Sequence, residues 1–408
     1  MNILLINHYA GSPEMGMEFR PYYMAREWEK MGHKVMIVTA SQAHVRNLQF
    51  DINKPYKIRE IEGIQYFIIK TPAYSGNSIS RIKNMRAFVK GLNRFKNKFA
   101  ETFQPDVVIA SSTYPLDIYP AKKIANLSNA KLIFEVHDLW PLSPMELGGY
   151  SRLHPFVVIM QKAENYAYKH SDTVISMLPN AFEHMQKHGL KKEKFRHVPN
   201  GIVVEEWNKN REIPEVFTTT IDKEKEKGHK LLAYAGSHGV ANALDSLLNA
   251  MAILKDQPVS LFLIGDGPLK SELIKFAKSK NLSNVFFLPP VKKDIIPAIL
   301  DKMDFLYIGL QNQSLFRFGI SPNKLIDYLM AGKPIIQAIK AGNNIVGDAN
   351  CGLAIEPENH DAIANAVCQL IILPKEKVEE LGHNAHKYCL LHHDYKVLSK
   401  SFIEYISN

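Results

Sequence analysis

Apolar and polar positions alternate between two periods along most of this chain. Ile3–Ile6 is an apolar run of strand length, residues 11–16 form a loop containing Gly and Pro, and Arg20–Met31 carries apolar side chains at helical spacing until Gly32 stops it. Lys34–Thr39, rich in β-branched residues, predicts a second strand. A strand, a helix and a strand within forty residues predict a right-handed crossover and a parallel sheet. Further strand-length runs stand at 65–70, 106–110, 131–136 and 173–176, with helix-length segments between most of them, as a doubly wound fold requires.

Around His197-Val198-Pro199-Asn200-Gly201 this rhythm breaks, and the polar stretch to Lys230 reads as a linker. The alternation then resumes, with strands expected at 230–234, 259–264 and 285–288 and helices at 243–254 and 270–280. Segments 361–373, 375–389 and 395–406 read as closing helices. The expected organisation is α/β with two doubly wound domains, 1–200 and 201–390, and a tail, 391–408, whose helix is placed to cross back to the first domain.

Length supports this division, because 408 residues exceed what one core normally organises. A hydrophobic fraction of 46% and a charged fraction of 22% fit ordinary globular usage and exclude coiled-coil, fibrous and disordered classes. Cys351, Cys368 and Cys389 show no CxxC spacing and no neighbouring histidine run, so no metal site is expected and a reducing, cytoplasmic compartment is the simplest setting. The start, MNILLINHYA, lacks a basic leader and a small-residue cleavage site and reads as a strand. No run of about 18 apolar residues occurs, so membrane association is expected to be peripheral at most.

The net charge of +9 changes the picture only through its distribution. Arg81, Lys83, Arg86, Lys90, Arg94, Lys96 and Lys98 precede the first acid of that region, Glu101, while Ile82, Met85, Phe88, Leu92, Phe95 and Phe99 recur at helical spacing. This basic amphipathic helix suits an anionic membrane surface with Phe88, Phe95 and Phe99 turned into it; equally, the stripe can face the protein core. A nucleic-acid partner is not expected, since no aromatic reading surface or nucleic-acid motif accompanies the charge.

Open α/β domains bind ligands at the carboxyl ends of their strands, so the cleft between two such domains is the expected site. After the first strand, Gly11, Glu14 and Gly16 precede the helix that begins at Arg20, where amides and the helix N-terminus could face an acceptor or a phosphate; a plain turn explains them too. His137 and Asp138 follow the run 131–136 directly, a position suited to proton transfer or to orienting ring or substrate hydroxyls, or to capping of the strand end. In the second half, Gly236 with His238, and Gly265, follow strands and allow close backbone approach to phosphate or ribose. Ser321 and Asn323 can cap a helix entered through Pro322, with Lys324 in its first turn and Asp327 one turn on. A lysine there opposes the helix dipole and suggests an anionic partner, a diphosphate, with Asp327 on the ribose hydroxyls; a surface ion pair between the two is the alternative.

Taken together, Arg20-Pro21-Tyr22, Gly32-His33-Lys34-Val35, Glu135 to Pro141, Val198 to Gly201, Tyr234-Ala235-Gly236, Ile264 to Pro268 and Ser321 to Pro334 resemble glycosyltransferase family 4, a retaining group with the GT-B fold of two Rossmann-like domains. Within it the chain resembles bacterial O-antigen and capsule amino-sugar transferases of the N-acetylfucosamine type. The resemblance implies transfer from a UDP-sugar, N-acetylated in this subgroup, without a bound metal or other cofactor, to a polyprenyl-diphosphate-linked or oligosaccharide acceptor. It implies that His137 lies near the reacting sugar and that Asp327 is the ribose-binding member of the family's acidic pair. The first acidic position falls on Gly319, and His238 and Asn242 stand where an Arg and a Lys are usual, leaving Lys324 and Arg317 as the expected cations. Departure of UDP through an oxocarbenium-like state would then depend on charge stabilisation at the diphosphate, with closure about Asn200 excluding water. A sugar-nucleotide epimerase of the same shape is the alternative, distinguished by needing no acceptor.

Overall fold

The structure, a computed structural model, describes residues 1–16, 19–76 and 79–407. The chain divides into two compact units, Met1–Asn200 with Tyr395–Asn408, and Gly201–Asp394.

In the first unit the strands are β1 (Asn2–Ile6), β2 (Lys34–Ala40), β3 (Tyr56–Ile61), β4 (Ile64–Ile69), β5 (Val107–Ala110), β6 (Lys131–Val136), β7 (Thr173–Ser176) and β8 (Phe195–His197). They form one sheet in the order β3-β4-β2-β1-β5-β6-β7-β8, parallel except where β3 pairs antiparallel with β4. Helices α1 (Arg20–Lys30), α2 (Ile79–Lys98), α3 (Ile118–Ser128), α4 (Leu142–Gly148), α5 (Pro155–His170) and α6 (Phe182–Lys187) connect them. The central strands are apolar throughout because helices cover both faces. β3 was not expected from the sequence. Its interior, Lys57 to Glu60, is exposed and charged at Lys57, Arg59 and Glu60, the usual dress of an edge strand, and the turn into β4 sets Glu62 at φ 49° and Gly63 at φ 83°.

The second unit begins with α7 (Glu215–Glu226) and continues β9 (Lys230–Ala235), α8 (Leu244–Ile253), β10 (Val259–Ile264), α9 (Lys270–Ser279), β11 (Val285–Leu288), α10 (Ile296–Asp301) and β12 (Phe305–Gly309). It ends with α11 (Asn323–Ala331), β13 (Ile335–Ala338), α12 (Ile345–Asp348), β14 (Gly352–Ile355), α13 (His360–Ile371) and α14 (Lys375–His392). Its parallel sheet runs β11-β10-β9-β12-β13-β14. Alternate residues of β9 enter opposite cores, Leu231 and Ala233 on one face and Leu232 and Tyr234 on the other. The stretch read as a linker therefore contains a packed helix: Phe217 and Ile221 of α7 are buried, and Glu224 accepts from Ser260 at 2.7 Å.

The final helix, α15 (Tyr395–Ser407), belongs to the first unit. It packs on α1, where Trp28 Nε1 donates to the Ser399 carbonyl at 3.2 Å and the Trp28 and Phe402 rings lie 4.9 Å apart.

Helix α2 corrects one expectation. Met85, Phe88, Leu92 and, just beyond it, Phe99 are buried in the protein, and Phe95 packs edge-on against Phe67 and Tyr56. The stripe is spent on the core, so Phe88, Phe95 and Phe99 cannot insert into a bilayer. Lys83, Arg86, Lys90 and Arg94 remain exposed. Among the described residues no helix is long and apolar enough to cross a membrane.

Candidate functional site

In the first unit the carboxyl end of β6 presents Glu135 inward and His137 just past the strand. Glu135 is buried and takes Arg20 Nε at 3.0 Å and Nη2 at 2.9 Å, with the Ser111 hydroxyl donating to its other oxygen at 2.6 Å. Arg20 Nη2 also donates to the Val198 carbonyl at 3.1 Å. Burial would raise this carboxyl, but the Arg20 guanidinium, His137 and Ser111 hold it well below the usual carboxylate range. His137 Nε2 sits 2.9 Å from Ser111 Oγ and 3.4 Å from Glu135 Oε2. The chain Arg20, Glu135, Ser111, His137 thus orients an imidazole whose ring is only 9% exposed, while Asp138 beside it is exposed.

This geometry corrects the expectation for the first loop. Arg20 is no ligand cation: it is buried, and its charge is consumed by Glu135 and backbone carbonyls. The amides of Met15 and Gly16 donate to the Ser12 carbonyl, and that of Glu14 to Glu62 Oε1 at 3.1 Å, so they form a self-satisfied turn rather than a phosphate cradle. Gly11 is buried and its carbonyl accepts from Tyr66 at 2.9 Å.

In the second unit the loops after β9 and β10 meet the N-terminus of α11. Gly236 has φ 154°, and a Cβ there would stand 2.5 Å from Lys324 Cε and 2.8 Å from its Nζ. Gly265 has φ 137°, and its Cβ would stand 2.1 Å from the Gly236 carbonyl. Both must be glycine for the loops to close on each other and for Lys324 to lie across them. Lys324 Nζ donates to Tyr234 OH at 2.6 Å and Asn242 Oδ1 at 3.1 Å and lies 3.9 Å from the Tyr234 ring centroid. These partners are neutral, and burial brings the ammonium down to about 7. The ion pair with Asp327 is not formed; Asp327 is half-buried, its carboxyl pushed up to about 6 by burial against the opposing pull of Lys293.

Two further expectations change. The N-cap of α11 is Pro322, so neither Ser321 nor Asn323 holds the N-cap position; Asn323 is the first helical residue and is exposed. His238 is wholly buried between Tyr234 and Phe287, with its proton affinity lowered to about 4 by burial and by Lys270, so its ring offers no surface contact to a nucleotide. Its backbone instead ties the two loops, donating to the Asp266 carbonyl at 2.8 Å and accepting from Leu269 at 3.0 Å. Arg317 is exposed, donates to the Ser314 carbonyl at 2.6 Å and lies 4.2 Å over the Phe318 ring. Gly319, where an acidic residue is usual, has φ 99°, a conformation that disfavours a side chain. The sequence reading passed over Tyr234 as a partner of Lys324; nothing in local spacing pairs positions ninety residues apart.

Residues 15–206 match the model of Glycosyltransferase Family 4, and residues 229–372 match that of Glycosyl transferases group 1. The chain is a glycosyltransferase. This glycosyltransferase is 21% identical over 364 residues to WcaI of Escherichia coli, named for a glycosyl transferase of colanic acid biosynthesis, covering 86% of this chain and 87% of that protein. It is 26% identical to the D-rhamnosyltransferase WbpZ of Pseudomonas aeruginosa, over 69% of this chain and 74% of WbpZ. Among solved structures, Anabaena HepE in complex with UDP and glucose superposes with a TM-score of 0.66 at 14% identity, covering 100% of both chains. The fold is that of the GT-B glycosyltransferases.

Proposed function

We propose that this glycosyltransferase moves a sugar from a UDP-sugar, with retention and without a metal at the donor, in bacterial surface-polysaccharide synthesis. The observation that carries the donor reading is Lys324, a desolvated cation at the start of a helix with only neutral partners, stationed over two obligatory glycines. A diphosphate supplies the charge it lacks, and Asp327 one turn on accepts from the ribose diol. The UDP in the HepE structure and the polysaccharide pathway in the name of WcaI support the reading. In the first unit, the His137 imidazole is the proposed hydrogen-bonding or proton-transfer group of the transfer step, held in place by Glu135 and Ser111.

An N-acetylated amino sugar is the proposed donor group, on the resemblance of the motif set; WbpZ is named for a rhamnosyl group, so both classes belong in the donor panel. The epimerase alternative is not favoured, because both matched families are transferases. The acceptor is proposed to be a polyprenyl-diphosphate-linked sugar. Contact with an anionic membrane would use the exposed Lys83, Arg86, Lys90 and Arg94 alone, each worth on the order of 1 kcal/mol near such a surface. Flotation with anionic but not neutral liposomes, lost in 0.5 M salt on the order of screening lengths below 10 Å, is the expected behaviour.

The donor reading is tested by thermal stability with UDP, GDP, ADP and UDP-N-acetylhexosamine. A ligand bound to the native state raises the midpoint by mass action. Uridine compounds are expected to raise it, and Asp327→Ala is expected to remove the rise; a shift with no nucleotide would sink the proposal.

A further inference from the structure

A second constellation in the first unit, sharing no residue with the sites above, joins α5 to α6. Glu164 projects from α5, and His184 and His188 stand four positions apart at one face of α6 and its C-cap. Their ligand atoms all lie within 4.8 Å of one another, and Glu164 Oε1 is already 3.5 Å from His184 Nε2. The two imidazoles lie side by side, 4.6 Å between centroids.

Hydrogen bonds hold this group in place. The Gln161 amide nitrogen is 2.7 Å from Glu164 Oε2 and 2.7 Å from Asn165 Oδ1, and His188 Nδ1 lies 3.0 Å from that nitrogen and 3.1 Å from Asn165 Oδ1. Glu164 is 2% exposed and its other oxygen takes the Tyr168 hydroxyl at 2.8 Å. A buried carboxylate and two imidazoles therefore converge on one point, with Gln161 and Asn165 beside them.

We propose that Glu164, His184 and His188 form a site for a divalent transition-metal ion of the zinc class. Two imidazoles and one carboxylate are one of the ligand sets of three-protein-ligand zinc sites, with a fourth position left to water. Bonds of about 2.0–2.1 Å in a tetrahedron place neighbouring ligand atoms about 3.3 Å apart. The Glu164 to His184 edge, at 3.5 Å, is close to this, and His188 closes the rest by a side-chain rotation that releases Gln161 and Asn165. The Tyr168 hydroxyl donates to Glu164 Oε1, the oxygen that faces His184, as outer groups hold ligands at metal sites. Bound there, the ion clamps α6 onto α5 and takes no part in transfer.

The test uses the tag-free full chain, treated with chelator and titrated with Co²⁺, whose visible absorption reports tetrahedral coordination, followed by Zn²⁺ competition. One equivalent of Co²⁺ bound with tetrahedral bands, displaced by Zn²⁺, is expected. His188→Gln and His184→Gln, with unchanged circular dichroism, are expected to weaken binding by at least the roughly 10–100-fold that losing one outer-shell contact costs. The melting midpoint of the wild type alone should rise on adding Zn²⁺. Absence of stoichiometric Co²⁺ binding, or binding equally tight in both folded variants, would overturn the site. No nucleotide enters the assay, so its result is independent of the donor proposal.

Discussion

The two candidate sites handle buried charge in opposite ways. Beside β6, Arg20 and Glu135 neutralise each other at 2.9 Å, backbone carbonyls take the remaining donors, and His137 is left positioned at the end of a satisfied network. Beside α11, Lys324 is desolvated among neutral groups, and Asp327 is desolvated one turn away without pairing to it. A charge whose partner is internal belongs to the architecture. A charge left without one costs stability in the free protein and is recovered when a ligand of opposite charge arrives.

The contrast can be broken most severely at Glu135. Glu135→Gln leaves the Arg20 guanidinium buried without its anion, and the cost expected is about 3–5 kcal/mol of unfolding free energy, measured by chemical denaturation. Lys324→Gln should do the reverse. UDP affinity is expected to fall roughly 10–150-fold in calorimetry, the worth of one hydrogen bond to a charged group, while the free protein becomes no less stable at pH 6.5. A loss of stability like that of Glu135→Gln would show that Lys324 has an internal partner after all. Gly265→Ala tests the scaffold under Lys324: its methyl meets the Gly236 carbonyl, and a loss of about 1–3 kcal/mol with weakened UDP binding is expected.

The smallest effect is the pH dependence. Burial lowers the Lys324 ammonium to about 7 from an unfolded value of 10.5, so the unfolded chain holds more protons between those values. The penalty is complete below about pH 7, and stability should rise as pH goes from 7 toward 10.5. Asp327 has the opposite sense: raised from 3.8 to about 6, it costs stability fully above about pH 6 and nothing below its unfolded value. Asp327→Asn should therefore raise the melting midpoint of the free protein at pH 7 while weakening UDP binding. UDP binding at pH 8 should take up protons at Lys324, seen as a calorimetric enthalpy that changes with the ionisation heat of the buffer.

Much of the architecture was legible in the chain because its signals are local. The apolar runs at 131–136 and 259–264 and the helical spacing of 375–389 each record burial by an element's own neighbours. Where burial came from elsewhere the reading failed. β3 is a polar edge without an apolar run, and α7, inside a stretch that looks like linker, is held by Phe217, Ile221 and the buried Glu224. The stripe on α2 was visible, but periodicity carries no information on which surface a stripe meets.

The same division holds for chemistry. By itself the sequence determined that His137 follows a buried strand, that Lys324 and Asp327 share a helix face, and that small residues follow β9 and β10, since these depend on spacing within one element. Tertiary structure alone decided that Arg20 is consumed by Glu135 across 115 positions, that His238 is sealed inside, and that Lys324 meets Tyr234 rather than Asp327. It also brought Glu164 to a histidine pair twenty positions away. Local spacing places a side chain on a face; whether its charge is already answered depends on which distant backbone and side chains the folded chain packs against it.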